Sequence, residues 1–401
     1  MEPVLVSPAR RLMFGGLLMW VMVGSTATVV VLPVLASFVI DDFDISRSEF
    51  GAIGSVTGLL AAVSSPLAGR LTDRVGGRNA AMIVLVGAAS AALLFSVAPV
   101  FGAMFAGAVV AAVTGSGANP STNKLIAAFV APGRRGFTTG LKQTGPQVGS
   151  FLAGILAPWG ATTLGWRPTM AITAILFALP IVVLRRIVPA DRPRPQQRAA
   201  PVEALPSGIW WVAAYGSLLG LGGAATFLFP LFVEESLAQT PQVAGVAAAV
   251  LGAVAVVGRL QWARIAEHQA SPAPALALLA VLSVGSMGLM LASMSYGIGW
   301  MWVGTVVLAL SSSSWTSVGA MAVIGIAGAS TAGRASGIAW FGFLAGLGLG
   351  PPIYGFIVDE TGSYAGMWWL ALAAFALAAG VAAAWSRRSL SSRQEAAPDE
   401  I

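Results

Sequence analysis

The stretch GRLTDRVGGR, residues 69–78, lies between two long apolar runs of the chain. It contains three arginines, one aspartate and three glycines. Glycine allows backbone conformations that tight turns require. The stretch therefore predicts a very short, positively charged connection between two membrane-spanning segments.

The composition indicates a membrane protein throughout. Hydrophobic residues make up 57% of the 401 residues and charged residues only 9%, and the mean hydropathy is +0.82. A soluble domain would carry about a quarter charged residues. Apolar runs long enough to cross a bilayer must satisfy their own backbone hydrogen bonds, so they form helices. The strands of a porin-type barrel would alternate in polarity, and no such alternation occurs. The predicted fold class is an all-α membrane protein.

Twelve apolar runs follow one another along the chain. The first is too long for a cleavable signal peptide, so we interpret it as a retained span. The predicted spans are 13–38, 49–69, 80–98, 101–127, 138–160, 169–188, 209–232, 243–262, 273–294, 299–324, 335–357 and 367–386.

One long hydrophilic segment interrupts this series. Residues 189–207 are rich in proline, which is typical of an extended linker. The predicted organisation is therefore a six-helix half over 1–188, a linker over 189–207, a second six-helix half over 208–388 and a tail over 389–401.

Basic residues predict the orientation. With the N-terminus in the cytoplasm, 18 of the 22 lysines and arginines fall in cytoplasmic segments. Arg47 and Arg167 lie outside, and Lys124 and Lys142 lie in spans. Positively charged loops stay in the cytoplasm, so both termini and the linker are predicted there. The net charge of +6 is then a topology signal, and we predict no nucleic-acid partner.

The two halves resemble each other in sequence. The tripeptide GRL at 69–71 recurs at 258–260. The fifth span recurs in the eleventh, where the corresponding glycines are Gly140, Gly145 and Gly149 in one and Gly337, Gly342 and Gly346 in the other. Because corresponding spans run in the same direction, the pattern predicts a parallel repeat of two halves.

The stretch 69–78 resembles the G-x-x-x-D-R-x-G-G/R-R motif between the second and third helices of major facilitator superfamily transporters. The resemblance implies twelve helices in two pseudo-symmetric halves, alternating access, and a substrate near the midplane between the halves. It also implies a gating role for the loop, with the aspartate latching the halves against a helix N-terminus and basic residues. The gating residues are Gly69, Asp73, Arg74, Gly76 and Arg78.

The fourth and fifth spans carry a more specific resemblance. The segments NPSTNKLIA, from residue 119, and RRGFTTGLKQTGPQVG, from residue 134, resemble a bacterial branch grouped with cyanate permeases and similar small-anion carriers. The piece GPQVG at 145–149 also resembles part of the fifth-helix motif of drug/proton antiporters. The upstream glycine is five residues before Gly145, whereas that motif has four.

Lys142 is the leading candidate for substrate binding. A cation near the bilayer centre is costly, so it should face the bundle interior or water. Gln143 and Gln147 fall on the same broad helical face. Its counterpart in the repeat is Ala339, so the fold does not require a lysine there. The alternative is a structural lysine, bonded to nearby oxygens or extending to the surface.

Further polar and aromatic candidates accompany Lys142. The resemblance implies that the first, fourth, seventh and tenth helices line the cavity, but helix packing would explain the same residue types, and Lys124 could also extend to the cytoplasmic surface. The additional candidates are Asn119, Asn123, Lys124, Tyr215, Ser314, Trp315 and Trp340.

The residues absent from the spans narrow the function. No Asp, Glu or His lies deep in any predicted span, and the sole histidine, His268, lies in a predicted loop. No metal-ligand cluster, phosphate loop or nucleophile–base arrangement occurs, so we predict neither an enzyme nor a cofactor. Two lysines without opposing carboxylates predict a small anionic organic solute as substrate.

We therefore predict a secondary transporter in the bacterial cytoplasmic membrane. It would act as a monomer in the lipid bilayer, and its coupling partner would be protons or a counter-transported anion. The main alternative is a proton-coupled efflux antiporter for drugs and hydrophobic compounds. A membrane enzyme or a flippase is a more distant alternative.

Overall fold

The computed structural model describes residues 8–131, 134–189, 205–267 and 271–395. In these residues the regular structure is helical, with no strand. The predicted all-α fold class is confirmed. Most of the predicted linker, residues 190–204, lies outside the described residues, as do 396–401 of the predicted tail.

The chain divides into two compact units. Unit 1 comprises residues 1–200 and 227–253, and unit 2 comprises 201–226 and 254–401. The last part of the predicted seventh span and the first part of the eighth therefore cluster with the first unit. The two six-helix halves, with boundaries at 188 and 208, stay a prediction.

Unit 1 takes its helices from two segments of the chain. The helices of the first segment are α1 Pro8–Val31, α2 Ala36–Phe43, α3 Arg47–Val75, α4 Gly77–Val97, α5 Phe101–Gly115, α6 Ala118–Phe129, α7 Arg135–Gln143, α8 Gly145–Leu164 and α9 Trp166–Ile187. The second segment, residues 227–253, contains α11 Phe229–Glu235 and the first part of α12 Pro241–Glu267.

Unit 2 contains the remaining helices. They are α10 Gly208–Gly223, the rest of α12, α13 Ala273–Tyr296, α14 Ile298–Leu310, α15 Trp315–Thr361 and α16 Ala365–Glu395.

Nine helices of the described chain are long and apolar enough to cross a membrane, and eleven spans result if each of two bent pairs counts as one. The predicted count of twelve stays a prediction. The predicted tenth span, 299–324, begins on α14 and ends on α15, and the predicted eleventh span, 335–357, lies on the same α15. Residues 298–327 and 334–361 qualify as separate spans. Residues 325–334 contain no proline, so no residue there is barred from continuing the helix.

The basic connection is shorter than its sequence predicts. Helix α3 continues to Val75 and α4 begins at Gly77, so residues 69–75 are helical and only Gly76 interrupts the helices. Gly76 has φ of 86°, a conformation that glycine adopts without steric cost. The Gly69 end of the predicted turn is therefore part of the preceding helix.

Three interruptions shape the regions around the candidate residues. Ser116 and Gly117 separate α5 from α6, and Thr144 separates α7 from α8. Pro146 lies in the first turn of α8, where its missing N–H costs least. A short 3-10 segment, Ser312–Ser314, separates α14 from α15.

The segment 227–253 packs within unit 1 through charged and backbone contacts. An Arg47 nitrogen lies 2.7 Å from a carboxylate oxygen of Glu235. Gly154 and Gly245 bring the backbones of α8 and α12 so close that a Cβ on either glycine would collide with the other's carbonyl oxygen. Small residues permit such close helix approach in membranes.

Candidate functional site

Lys142 is enclosed in unit 1 by three oxygen acceptors of α6. Its Nζ donates to Asn123 Oδ1 at 2.8 Å, to Thr122 Oγ1 at 2.9 Å and to Asn119 Oδ1 at 3.2 Å. The side chain has no solvent-exposed surface. The break at Thr144 ends α7 immediately after this turn, so Lys142 lies in the last turn of a short helix.

The acceptors around Lys142 are neutral. They satisfy its hydrogen-bonding capacity, since an ammonium group has three donors and no acceptor. They do not cancel its charge, and no ion pair of Lys142 occurs among the described residues. A buried charge without a counter-charge is costly, so this part of unit 1 is electrostatically suited to an anion.

Asn119 and Asn123 form the accessible side of this cluster. Both are exposed in unit 1, whereas Thr122 is buried beneath them. Thr122 Oγ1 also donates to the Ala118 carbonyl at 2.6 Å, which fixes its position. Polar residues within membrane helices normally face the bundle interior or a water-filled cavity. Lys142 is thus buried behind two exposed amides.

The predicted glutamines do not join this cluster. Gln143 is exposed, and Gln147 is 7% exposed with an Oε1 that has no hydrogen-bond partner in the described part of the chain. Neither is bonded to Lys142, whose three hydrogen-bond partners in the described residues all lie on α6. Their predicted role in substrate binding stays a prediction.

Lys124 lies at the motif predicted to act in gating, and not beside Lys142. Its Nζ donates to the carbonyls of Thr72 and Asp73 at 3.1 and 3.2 Å, and it lies 3.4 Å from Asp73 Oδ1. These carbonyls belong to the last turn of α3, where a cation is favoured by the helix dipole. The geometry thus associates Lys124 with the gating residues.

The remaining residues predicted to act in gating lie around the same end of α3. Arg78 Nη1 donates to the Val188 carbonyl at 3.3 Å, which connects the start of α4 to the end of α9. Arg74 is exposed, and the space around Gly69 is open. The motif therefore links α3, α4, α6 and α9 within unit 1.

Aromatic candidates cluster in unit 2. The Trp315 ring lies 4.9 Å from Phe343, 5.9 Å from Trp340 and 6.2 Å from Tyr215, measured between ring centroids. Tyr215 is fully buried and its hydroxyl donates to the Leu276 carbonyl at 2.7 Å. Trp340 is 40% exposed, so it provides the accessible surface of the cluster.

Arg259 is a candidate that the sequence analysis missed. It was counted among the cytoplasmic charges, but it lies within the candidate span Pro241–Ala266. Its Nε donates to the Ser313 carbonyl at 3.0 Å, in the interruption between α14 and α15. The repeated tripeptide GRL at 258–260 could have indicated Arg259 as a candidate. Because the first copy of the tripeptide was assigned to a basic loop, Arg259 was assigned to a loop as well.

Ser314 and Trp315 adjoin this arginine contact. Ser314 Oγ and Trp315 Nε1 are buried and have no hydrogen-bond partner among the described residues. Ser314 was predicted as a binding residue from its hydroxyl alone. Ser314 and Trp315 directly follow Ser313 in the chain, and the carbonyl of Ser313 accepts from Arg259.

Comparison with known families identifies the architecture. A family model described as Major Facilitator Superfamily matches residues 12–340. The solved structure of a bacterial homolog of the human lysosomal transporter Spinster, inward-facing and occupied, aligns with a TM-score of 0.77 and 17% identity, covering 95% of this chain and 98% of that chain. The nucleoside transporter NupG aligns with a TM-score of 0.74 and 13% identity, covering 93% and 98%.

Two curated relatives are similar in sequence. The multidrug resistance protein MdtG of Dickeya zeae (strain Ech586) is 31% identical over 135 residues, which are 33% of this chain and 32% of the relative. The alignment therefore spans about a third of that protein's length. Human monocarboxylate transporter 11 is 27% identical over 350 residues, covering 81% of this chain and 72% of the relative.

Proposed function

This chain belongs to the Major Facilitator Superfamily, and on that premise we propose that it moves a small organic anion across the membrane by alternating access. It is a multi-pass membrane transporter rather than an enzyme. The proposed specificity depends on one observation, which is a buried lysine with three neutral acceptors and no counter-ion among the described residues.

An anion would complete the charge balance of the Lys142 cluster. The bond from Nζ to Asn119 is the longest of the three at 3.2 Å, so this acceptor is the one we expect an anion to replace. The exposed amides of Asn119 and Asn123 can rotate and donate their N–H groups to the same anion, since an amide has both an acceptor and donors. Binding would then exchange neutral contacts for charge-assisted ones, which are stronger.

The longer of the two curated alignments supports this substrate class. Monocarboxylate transporter 11 is named for anionic solutes, and its alignment covers most of both chains. The predicted membership of a small-anion branch remains part of the same proposal.

A second candidate is efflux of hydrophobic compounds. The similarity to MdtG favours it, as does the partly exposed aromatic cluster around Trp315 and Trp340. Aromatic faces bind apolar and cationic compounds. The two candidates differ in the charge of the ligand, which makes them separable in one experiment.

Ligand-dependent thermal stabilisation of the purified full chain tests the proposal. We expect lactate or another small organic anion to raise the melting temperature and tetraphenylphosphonium to leave it unchanged. A ligand at 100 times its Kd stabilises by about 2.7 kcal/mol, which corresponds to several degrees. Lys142→Met, which keeps the length and removes the charge, should abolish the response.

Lys124→Met is the matched control. It removes the other lysine, whose partners are the Asp73 side chain and backbone carbonyls, and it should retain the anion response. Stabilisation by tetraphenylphosphonium alone would contradict the anion proposal and favour efflux. An unchanged anion response in Lys142→Met would remove Lys142 from the site.

Orientation and coupling complete the proposal. We infer that both termini are cytoplasmic, that the membrane is a bacterial inner membrane and that a monomer is sufficient. Without carboxylates deep in the predicted spans, coupling would come from a proton carried by the substrate as a weak acid or from exchange of anions. Proteoliposome flux under an imposed pH gradient distinguishes these modes.

A further inference from the structure

We propose that a groove of unit 1 between α4 and α5 binds one acyl chain of an anionic phospholipid, whose phosphate contacts Arg70 and Arg74 at the end of α3. The bound lipid is distinct from the transported solute. The lipid site therefore stands or falls independently of the proposed anion transport.

The groove begins where α4 and α5 cross. A Cβ on Gly87 of α4 would collide with Thr114 Oγ1 of α5, so the two helices touch at this point, as small residues permit in membranes. A cavity of about 490 Å³ extends along α4 from this crossing. Its lining includes Ser90 and Thr114 at one end and Val75 and Asn79 at the other.

The length of the groove matches one leaflet of a bilayer. Asn79 and Ser90 both line it and are separated by eleven residues of α4, which is about 16 Å along the helix axis. Half of a hydrocarbon core is about 15 Å thick. The lining residues come from the candidate membrane spans 47–75, 77–97 and 101–129. A single acyl chain therefore fits the groove lengthwise.

The lining of the groove favours hydrocarbon over a polar solute. Thr114 Oγ1 donates to the Val110 carbonyl at 2.6 Å, and Asn79 Nδ2 donates to the Val75 carbonyl at 3.0 Å, so both side chains bond to the backbone of the helices that form the groove. Val86 lines the groove between them and is exposed. Exposed apolar surface on a membrane span is suited to contact with lipid.

Basic residues lie at the Val75 end of the groove. Arg74 directly precedes Val75, and Arg70 lies one turn earlier on the same face of α3. Both arginines are exposed, and neither forms an ion pair among the described residues. The carboxylate of Asp73 lies 3.4 Å from Lys124 Nζ, whose charge offsets it. The mouth of the groove is therefore positively charged.

This charge selects the headgroup of the lipid. Basic pockets between membrane helices bind anionic headgroups, and a guanidinium binds phosphate oxygens through paired hydrogen bonds. A zwitterionic headgroup carries a compensating ammonium group and gains less from two arginines. Because the basic end of α3 is predicted to be cytoplasmic, we assign the lipid to the cytoplasmic leaflet.

Native mass spectrometry of the purified full chain tests the headgroup preference, with dioleoylphosphatidylglycerol, dioleoylphosphatidylethanolamine and dioleoylphosphatidylcholine added in detergent. We expect phosphatidylglycerol to bind most tightly. Replacing both arginines, by Arg70→Gln with Arg74→Gln, should lower its affinity about tenfold or more. The charge-conserving pair Arg70→Lys with Arg74→Lys should retain most of the affinity, and it serves as the test should the glutamine pair fail to fold.

The matched control for charge is Arg185→Gln with Arg186→Gln. These two arginines are exposed in the last turn of α9, and the variant removes the same charge away from the groove. Its affinity for phosphatidylglycerol should stay at the wild-type level. An equal loss in both glutamine pairs would mean that net charge attracts the lipid without a site, and would overturn the proposal.

Filling the groove tests the position of the acyl chain. Val86→Trp places a large side chain at an exposed lining position and should lower the affinity for phosphatidylglycerol about tenfold, since it displaces buried methylene groups. Leu93→Trp is the matched control, because Leu93 is exposed on α4 beyond the Ser90 end of the groove. Soluble glycerol phosphate, which lacks acyl chains, should not displace the bound lipid.

Three results would overturn the proposal. Equal affinity for the three lipids, or a preference for phosphatidylethanolamine, would contradict recognition of an anionic headgroup. Unchanged phosphatidylglycerol affinity in Val86→Trp would mean that the acyl chain lies elsewhere. Full displacement by glycerol phosphate would assign the arginines to a soluble phosphate instead of a lipid.

Discussion

Lys142 in unit 1 and Arg259 in unit 2 are both cations within the helical structure, but their surroundings differ. Lys142 is fully buried and all three of its donors reach side-chain oxygens of one helix. Arg259 is partly buried and bonds through one nitrogen to one backbone carbonyl. The first cation is saturated with hydrogen bonds, whereas the second retains unused donors.

This difference shows that hydrogen bonding and charge compensation are separate requirements. The Lys142 cluster satisfies the first without the second, since its acceptors are neutral. An anion must therefore displace an acceptor in unit 1. We expect Lys142 to control whether an anion binds.

Supplying a counter-charge to Lys142 should have the largest effect. Asn123 Oδ1 lies 2.8 Å from Nζ, so Asn123→Asp places a carboxylate in contact with the ammonium group. The internal ion pair should compete with any external anion and lower lactate affinity about a hundredfold or more, while the fold is retained. Lactate titration of the variant, monitored by thermal stabilisation, measures the loss.

The exposed position of Asn119 offers a comparison for this variant. Asn119→Asp should have a smaller effect, since its acceptor is at 3.2 Å. Undiminished lactate affinity in Asn123→Asp would mean that the charge of Lys142 does not attract the substrate.

Removing one neutral acceptor should have an intermediate effect. Thr122→Val deletes the buried Oγ1 at 2.9 Å from Nζ and leaves the ammonium group with two acceptors. A hydrogen bond to a charged group contributes about 1.5–3 kcal/mol, so we expect the melting temperature to fall by several degrees. The vacated donor should also bind an anion more readily, which would raise lactate affinity.

Thermal denaturation with and without lactate checks both parts of this prediction. Thr138 is also buried but lies on α7, whereas Thr122 lies on α6. The control variant Thr138→Val should not raise lactate affinity. Lower stability together with lower anion affinity would indicate that the third acceptor positions Lys142 for binding.

The smallest effect should come from the interruption in unit 2. Trp262→Phe removes the hydrogen bond to the Leu310 carbonyl and should lower stability by about 1 kcal/mol. Lactate affinity should not change, because the variant keeps Lys142 and its charge. Denaturation of the variant, followed by lactate titration, measures the two quantities separately. A loss of lactate affinity would mean that the geometry of this interruption contributes to anion binding.

The sequence predicted much of the fold through patterns that need no tertiary contact. Long apolar runs predicted helices, because backbone groups in lipid must be satisfied internally. The motif at 69–78 predicted the superfamily to which the chain belongs. The turn within that motif was misplaced, because the helical conformation of 69–75 leaves only Gly76 with a positive φ.

The candidate site was predicted less completely. Lys142, Asn119 and Asn123 were named from the sequence, and the structure brings them together through hydrogen bonds. Thr122 was not named, although it is the buried acceptor between the two asparagines. Lys124 resembled Lys142 in sequence, but its nitrogen reaches the end of α3, which no spacing along α6 could indicate.

The sequence by itself determined the fold class and the type of residue available in each span, because polarity and helix formation are local properties of the chain. The tertiary structure alone decided what each cation contacts. Lys142, Lys124 and Arg259 differ in the carbonyl, amide or hydroxyl groups that another helix brings within 3.5 Å, and that distance depends on how helices distant in sequence pack and where they break.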